Sequence, residues 1–183
     1  MRVIAGTARR LQLATLEGRD VRPTTDKIKE TLFNIINMDI PGARFLDLFS
    51  GSGGIGIEAL SRGAKEAVFV ERDRRCVNII RGNLDHTKLG EKARVMPSDF
   101  MAALRKLDEE GVPFDIIFMD PPYNKGLERT ALGFIDTSSL VTDDSIVICE
   151  TSLETPADDA GFARLTLERE KVYRTNKHCF YRC

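Results

Sequence analysis

A glycine-rich segment at residues 50–56 has the composition of a ligand-binding loop. It reads Ser50-Gly51-Ser52-Gly53-Gly54-Ile55-Gly56 and contains G-x-G-x-x-G directly after a short apolar run. Glycines permit a tight turn, and the N-terminus of the helix that should follow offers unpaired N–H donors to a ligand. Glu71 comes about 20 residues later, where a carboxylate can accept hydrogen bonds from ribose hydroxyls. The pattern predicts a ligand that contains a nucleoside.

Asp47 lies inside the apolar run that precedes the loop, Phe45-Leu46-Asp47-Leu48-Phe49. Burying a carboxylate is costly unless a partner compensates it. A ligand ammonium group would do so, directly or through water. S-adenosylmethionine carries an ammonium group on its methionine part and a nicotinamide dinucleotide carries none, so Asp47 favours S-adenosylmethionine as the cofactor.

A second motif, Asp120-Pro121-Pro122-Tyr123, follows another apolar run. Two successive prolines make the turn rigid, so that Asp120 and the carbonyl of Pro121 can present two fixed hydrogen-bond acceptors. Two acceptors suit an exocyclic amino group, and the Tyr123 ring offers a surface on which a base can stack. These residues are the predicted catalytic set. The chemistry that fits is methyl transfer to an amino nitrogen, with Asp120 receiving the proton and no metal required.

The elements that must position both motifs are predicted from hydrophobic periodicity. Continuous apolar runs typical of buried parallel strands alternate with helix-like stretches, which predicts a βαβ series with helices on both faces of the sheet. The runs lie at 45–49, 67–71, 93–96, 115–119 and 145–149, and the helices at 54–62, 73–89, 99–110 and 126–138. Segments 163–173 and 178–182 are too close for a helix between them, so we expect an antiparallel hairpin at the sheet edge. The prediction is a mainly parallel, seven-stranded α/β sheet.

Capping residues refine these boundaries. Asp73 and Ser98 are the predicted helix N-caps, and Gly63, Gly90 and Gly111 the predicted helix ends. At the N-terminus, Arg2–Ala5 and Arg10–Ala14 predict a small basic hairpin, and Thr24-Thr25-Asp26 should cap a helix that runs to about Asn37. We therefore expect an N-terminal extension at 1–40 and a catalytic domain at 41–183.

The charges are distributed unevenly along the chain. The total of 27 basic and 28 acidic residues, taken alone, argues against an acidic partner. Yet residues 1–37 carry seven basic and four acidic groups, and residues 162–183 carry six and two, so both ends are basic around an acidic centre. Such asymmetry is a better guide to partners than the sum, and it is compatible with RNA contact through the two ends.

Four stretches of the sequence together resemble the RsmD family, bacterial guanine-N2 methyltransferases of small-subunit ribosomal RNA. They are Arg22-Pro23-Thr24-Thr25-Asp26-Lys27-Ile28-Lys29-Glu30-Thr31-Leu32-Phe33-Asn34, Leu46-Asp47-Leu48-Phe49-Ser50-Gly51-Ser52-Gly53, Glu58-Ala59-Leu60-Ser61-Arg62-Gly63-Ala64 and Asp120-Pro121-Pro122-Tyr123. The resemblance implies the Rossmann-like fold of class I S-adenosylmethionine-dependent methyltransferases. It also implies methylation of the N2 amino group of guanine 966 in 16S ribosomal RNA, on assembling small subunits.

Roles for individual residues follow from the same resemblance. Asp47, Phe49, Gly51, Ser52 and Gly53 would line the methionine end of the cofactor, Glu71 would hold the ribose, and Asp99 with Phe100 would contact the adenine. Asp120, Pro121, Pro122 and Tyr123 would hold the target guanine. Arg22, Thr24 and Glu30 match the family's N-terminal motif, although Thr24 fits helix capping equally well. The candidate RNA-contacting residues are Arg2, Arg9, Arg10, Arg22 and Lys125.

Alternative functions stay open at this point. An adenine-N6 DNA methyltransferase shares the D-P-P-Y logic but usually carries a target-recognition domain, for which this chain has little room. A nicotinamide oxidoreductase leaves Asp47 and the D-P-P-Y motif unexplained, and a non-catalytic RNA-binding module needs no cofactor loop. The sequence has no signal peptide, no run of about 18 apolar residues and no metal-binding cysteine pattern. We therefore expect a cytoplasmic monomer without a metal or a membrane contact.

Overall fold

The computed structural model describes residues 1–16 and 26–183. Within them, seven strands form one sheet in the order β3-β2-β1-β4-β5-β7-β6. The strands are β1 Arg44–Leu48, β2 Glu66–Glu71, β3 Ala93–Pro97, β4 Ile116–Met119, β5 Ile146–Thr151, β6 Thr166–Val172 and β7 Lys177–Arg182. Strands β1 to β5 are parallel, and β7 is antiparallel to both β5 and β6. The predicted mainly parallel sheet with a C-terminal antiparallel hairpin is confirmed.

Five α-helices of the described chain cover the two faces of this sheet. They are α1 Asp26–Ile35, α2 Gly54–Ser61, α3 Arg74–Thr87, α4 Phe100–Glu110 and α5 Leu127–Thr137. Because strand side chains alternate, Phe45, Phe69 and Phe118 share one buried cluster with α1, α2 and α3. Leu46, Val68 and Ile117 share the other with α4 and α5. Burial on both faces explains why the strands read as continuous apolar runs.

Two of the predicted helix boundaries are wrong. Ser98 is not the N-cap of α4, because Asp99 takes that position and its carboxylate accepts the Met101 N–H at 2.9 Å. Gly90 does not end α3, because Lys88 adopts the left-handed conformation there (φ 59°) and Gly90 begins a short 3₁₀ turn instead. The Asp73 cap of α3 and the Gly111 end of α4 are confirmed.

The N-terminal segment forms the predicted hairpin, but with a single antiparallel bridge, Arg2 to Gln12, rather than two strands. It lies along α2: the backbone N–H groups of Ile4 and Ala5 donate to the Glu58 carboxylate, and the Thr7 N–H donates to the Ser61 carbonyl. The hairpin therefore runs from the glycine loop, where Met1 touches Gly54, to the opposite end of α2.

A buried ion pair joins this extension to α2. Lys29 Nζ of α1 lies 3.1 Å from Glu58 Oε2 and 2.6 Å from the carbonyl oxygen of Arg2. Both side chains are completely buried, and burial lowers the pKa of Lys29. Helix α1 ends at Ile35, slightly before the predicted Asn37. The predicted caps Thr24 and Thr25 lie outside the described residues. The division of the chain at residue 40 stays a prediction, and the extension and the sheet share one buried cluster.

Candidate active site

The glycine loop links β1 to α2 and depends on glycine at two positions. Gly53 is the N-cap of α2 with a φ of 79°, a conformation that side chains with a Cβ rarely adopt. At Gly56, a Cβ atom would lie 2.4 Å from the Phe69 ring, so only glycine lets α2 pack this closely on β2. The loop thus brings the backbone N–H groups of the first turn of α2 to the carboxyl edge of the sheet.

Asp47 is buried below the loop, on the face of β1 that α2 covers. Its side chain has 2% exposure, and Oδ2 accepts the Gly56 N–H at 2.9 Å. Burial raises the pKa of Asp47 to about 7, with the neighbouring Glu71 adding to the rise and the Gly56 hydrogen bond opposing it. Within the protein, the buried Asp47 carboxylate is therefore paired with a backbone N–H. This hydrogen bond compensates the cost of burying the charge only in part. A cation at this position would lower the pKa again.

Glu71, at the end of β2, ties the loop to the next helix. One carboxylate oxygen accepts the Gly51 N–H at 2.9 Å, and the other accepts the Asp73 N–H at 2.8 Å. Each oxygen keeps further acceptor capacity for a hydroxyl group. The predicted ribose-binding carboxylate therefore lies beside the glycine loop.

An aromatic pair extends the site towards β3. The Phe49 and Phe100 rings stack with centroids 4.9 Å apart and planes tilted by 35°, and both rings are half-buried. Phe49 has a positive φ of 72°, which turns the chain sharply after β1. Asp99 lies next to this pair, and one of its oxygens caps α4. The two predicted adenine-end residues, Asp99 and Phe100, are thus brought together with Phe49, which was predicted at the methionine end.

The D-P-P-Y turn lies beside the glycine loop. Leu48 of β1 pairs with Met119 of β4, so the residues that follow, Phe49 and Asp120, are level with each other at the same edge. Asp120 is partly exposed, and burial raises its pKa, with Glu150 and Asp47 adding negative charge nearby. Pro121 is buried, whereas the Tyr123 ring is 38% exposed. The turn can therefore meet a ligand from solvent.

Strand register adds polar residues that the sequence analysis missed. Met119 of β4 pairs with Cys149 of β5, so Asp120 is level with Glu150, and Glu150 pairs with His178 of β7. Because side chains alternate along strands, all three residues face the same side of the sheet as Asp47. They form one row across three neighbouring strands, with His178 completely buried.

Glu150 is the centre of a buried hydrogen-bond network. Its Oε1 accepts the Tyr123 hydroxyl at 2.9 Å and also the Asn176 amide, and its Oε2 lies 2.9 Å from His178 Nε2. Burial alone would raise the pKa of Glu150, but the hydrogen bonds from His178, Tyr123 and Asn176 outweigh it and hold the pKa below its ordinary value. We call these residues the Glu150 network. It holds the Tyr123 ring in place through the hydrogen bond that the Tyr123 hydroxyl donates to Glu150.

Two further features complete the Glu150 network. The Tyr173 hydroxyl lies 3.1 Å from His178 Nδ1, and burial raises the pKa of Tyr173 to about 12. The Asn176 side-chain oxygen is buried without a hydrogen-bond partner among the described residues. The sequence offers one signal for this network, because Glu150 is an acidic residue directly after the apolar run 145–149. The predicted strand ended at residue 149, whereas β5 continues to Thr151 and includes Glu150.

The candidate RNA-contacting residues occupy different places. Lys125 is exposed in the loop after Tyr123, and Arg2 is exposed beside the start of α1, with its Nε 2.9 Å from Asp26 Oδ2. Arg9 and Arg10 are exposed at the hairpin turn, and together with Arg2 they line a groove of about 490 Å³ beside the start of α1. Arg22 lies outside the described residues. Glu30 is exposed on α1.

Comparison with known proteins places the chain in a family. A family model described as "Conserved hypothetical protein 95" matches residues 1–182. The chain belongs to the RsmD family. A relative of this kind, the ribosomal RNA small subunit methyltransferase D of Escherichia coli K12, is 36% identical over 172 residues, which cover 94% of this chain and 84% of the relative.

Solved structures share this fold over the length of the chain. The yhhF protein of Escherichia coli superposes with a TM-score of 0.85 at 35% identity, covering 100% of this chain and 97% of that one. A hypothetical protein of Thermus thermophilus gives a TM-score of 0.84 at 30% identity, with coverage of 100% and 99%. The fold is the Rossmann-like fold of class I S-adenosylmethionine-dependent methyltransferases, as predicted.

Residues 1–16 and 26–183 contain no group of three or more histidine, cysteine or acidic side chains arranged to hold a metal ion. No helix among them has the length and apolar character that crossing a membrane requires.

Proposed function

We propose that the chain transfers the methyl group of S-adenosylmethionine to the exocyclic N2 amino group of a guanine in small-subunit (16S) ribosomal RNA. Guanine 966 is the position that the family resemblance implies. The observation that carries the proposal is the meeting of the glycine loop and the D-P-P-Y turn on the neighbouring strands β1 and β4. The name of the Escherichia coli relative, which specifies the small-subunit RNA, supports the substrate class.

The carboxylates and aromatic rings of the site match the chemical groups of S-adenosylmethionine. Asp47 is a buried carboxylate with its pKa raised to about 7, which suits the ligand ammonium. Glu71 has acceptor capacity for the ribose hydroxyls, and the Phe49–Phe100 pair with Asp99 offers a surface and an acceptor for adenine. The cofactor supplies a methyl group made electrophilic by its sulfonium. The residues of the chain hold the cofactor and the target nitrogen in position and provide the proton acceptor.

The D-P-P-Y turn would prepare the target nitrogen. The Asp120 carboxylate and the Pro121 carbonyl accept hydrogen bonds from the two amino hydrogens, which localises the lone pair on the nitrogen. The Tyr123 ring stacks on the base and is held by its hydroxyl bond to Glu150. The nitrogen must lose a proton after methylation. Asp120, whose pKa burial raises, is the acceptor at the right place.

The RNA would approach the carboxyl edge of the sheet. Lys125 lies on this side, and Arg2, Arg9 and Arg10 line one groove beside the start of α1, where they could contact phosphates. Before β1, the described residues add a short hairpin and one helix to the sheet, and we propose that part of the specificity comes from a partly assembled small ribosomal subunit. We further propose that it acts as a monomer in the cytoplasm.

One experiment tests this function against its alternatives. The protein is incubated with methyl-labelled S-adenosylmethionine and naked 16S RNA, partly assembled small subunits or duplex DNA, and the labelled nucleoside is identified. We expect N2-methylguanine from the RNA or the particles. Label in N6-methyladenine of DNA would contradict the proposal. Cofactor binding without transfer to any substrate would favour a non-catalytic binding module.

A further inference from the structure

A groove opens at the carboxyl edge of the sheet, between the start of α1 and the turn that joins β6 to β7. Its volume is about 590 Å³, and its walls include Lys27 and Thr31 on one side and Lys171, Val172, Tyr173 and Arg174 on the other. Val172 pairs with Lys177, which in turn pairs with Thr151 at the carboxyl end of β5. The groove therefore lies on the same edge as the D-P-P-Y turn.

The charge of the groove is positive and uncompensated within the described chain. Lys27, Lys171 and Arg174 are exposed and form no ion pair with any residue of 1–16 or 26–183. The carboxylates directly adjacent to the two lysines in sequence are already engaged: Asp26 pairs with Arg2 at 2.9 Å, and Glu170 pairs with Lys177 at 3.3 Å. The three cations are thus available to an anionic ligand.

The groove also has an apolar wall and a direct link to the candidate active site. Val172 is 59% exposed and forms the apolar part of the wall. Tyr173 lines the groove and is joined through His178 and Glu150 to the Tyr123 hydroxyl by hydrogen bonds of 3.1, 2.9 and 2.9 Å. Positive groups beside an apolar and aromatic surface are the combination that binds single-stranded nucleic acid.

We propose that this groove holds the RNA that flanks the target nucleotide, with phosphates on Lys27, Lys171 and Arg174 and a sugar or base against Val172 and Tyr173. The proposal rests on the proposed function, since it takes RNA as the substrate. It locates a second contact region, built from the two basic ends of the chain, on the side of the Glu150 network away from Asp47. A volume of 590 Å³ falls within the range of roughly 300–1,000 Å³ that is usual for ligand sites.

The test compares Lys171→Ala/Arg174→Ala with a control, Arg105→Ala/Lys106→Ala, which removes two exposed cations from α4. RNA affinity is measured by fluorescence anisotropy on 16S RNA fragments and small-subunit particles at several salt concentrations. Each lost phosphate contact should reduce the slope of log Kd against log salt by about 0.7–0.9, so the first variant should lose about 1.5. At ~0.15 M salt this corresponds to roughly tenfold weaker binding. Cofactor affinity should not change.

Charge-altering variants separate binding from folding. Arg174→Glu should weaken RNA binding further, whereas Arg174→Lys should keep it within about twofold because the charge remains. An RNA affinity and salt slope equal to those of the control variant would overturn the groove proposal. Methyl transfer by the unaltered protein is measured in the same samples. Its absence would contradict the proposed function, whereas transfer with unchanged binding by the variants would contradict the groove alone.

Discussion

Two buried carboxylates on the same face of the sheet behave in opposite ways. Asp47 on β1 and Glu150 on β5 are 2% and 4% exposed. Burial raises the pKa of Asp47 to about 7, because its hydrogen-bond donor is one backbone N–H and Glu71 adds negative charge. The pKa of Glu150 is held below its ordinary value, because His178, Tyr123 and Asn176 all bind its carboxylate.

This difference separates the cofactor end of the site from the substrate end. Burial of the Asp47 carboxylate is compensated only in part within the protein. When a cationic ligand binds, the carboxylate gains a partner, and relief of the remaining burial cost adds to the binding free energy. A carboxylate with three partners inside the protein, like Glu150, gains nothing from a ligand and instead holds another side chain in place. We therefore expect substitutions at Asp47 to alter cofactor affinity, and those at Glu150 to alter the use of RNA.

Asp120 lies between these two carboxylates and carries the largest expected effect. Asp120→Ala removes one acceptor of the target amino group and the proposed proton acceptor, so methyl transfer should fall by about 10²–10⁴-fold. The Kd for S-adenosylmethionine should stay within about threefold, since Asp47 and Glu71 are untouched. Isothermal titration and single-turnover transfer measure the two quantities. Asp143→Ala, at a side chain with 99% exposure, is the control. An equal loss of cofactor affinity would mean that Asp120 belongs to the cofactor end.

Asp47→Asn should weaken cofactor binding while it stabilises the fold. Loss of the charge that meets the ligand ammonium should raise the Kd by about 10–100-fold, the value of a charge-assisted hydrogen bond. The Asp47 pKa rises from 3.8 to about 7 on folding, so its burial costs stability that grows as pH rises through this range and is complete above it. The free energy of unfolding at pH 8 should therefore increase by about 1–3 kcal/mol, because the Asn amide still accepts the Gly56 N–H. Urea titration checks this, and unchanged stability would show that Asp47 is compensated without a ligand.

The contrast between the two carboxylates also indicates what a sequence can and cannot disclose. Asp47 and the glycine loop are contiguous, so their polarity inside an apolar run and their spacing already predict a cationic ligand with a nucleoside. The Glu150 network joins residues from β5, β7, the turn before β7 and the D-P-P-Y turn. The pairing of β5 with both β4 and β7 brings them together. Register across an antiparallel insertion depends on the turn and the packing, which no local pattern reports. The Asp99 cap escaped prediction for a smaller reason, since Ser98 and Asp99 are both good capping residues.

The unaltered protein offers a pH test of the same contrast. Asp47 is protonated in much of the unliganded protein below pH 7, and binding of an ammonium group requires it to be charged. Cofactor affinity should therefore rise by up to about tenfold for each pH unit between pH 5 and 7 and level off above 7. In Asp47→Asn this dependence should disappear. Calorimetry in two buffers of different ionisation enthalpy would detect the proton released on binding, and a flat profile in the unaltered protein would contradict the raised pKa.

Glu150→Gln should have the smallest effect on activity and the most specific one. The Gln amide leaves Tyr123 or His178 without its acceptor, so the ring should lose its fixed orientation and kcat/KM for RNA should fall by about fivefold to tenfold, near 1 kcal/mol. Cofactor affinity should not change, because Asp47 and Glu71 keep their partners.

The same substitution should also alter stability. Since Glu150 has a lowered pKa when folded, its stabilisation is present above its unfolded pKa and is lost on acidification. The variant should therefore be less stable than the unaltered protein at pH 7, opposite in sign to Asp47→Asn, and this difference should shrink only as the pH falls below 4.5. Glu109→Gln, on the exposed face of α4, is the matched control. If Glu150→Gln weakened cofactor binding as much as Asp47→Asn, the division between a cofactor carboxylate and a substrate-positioning carboxylate would be wrong.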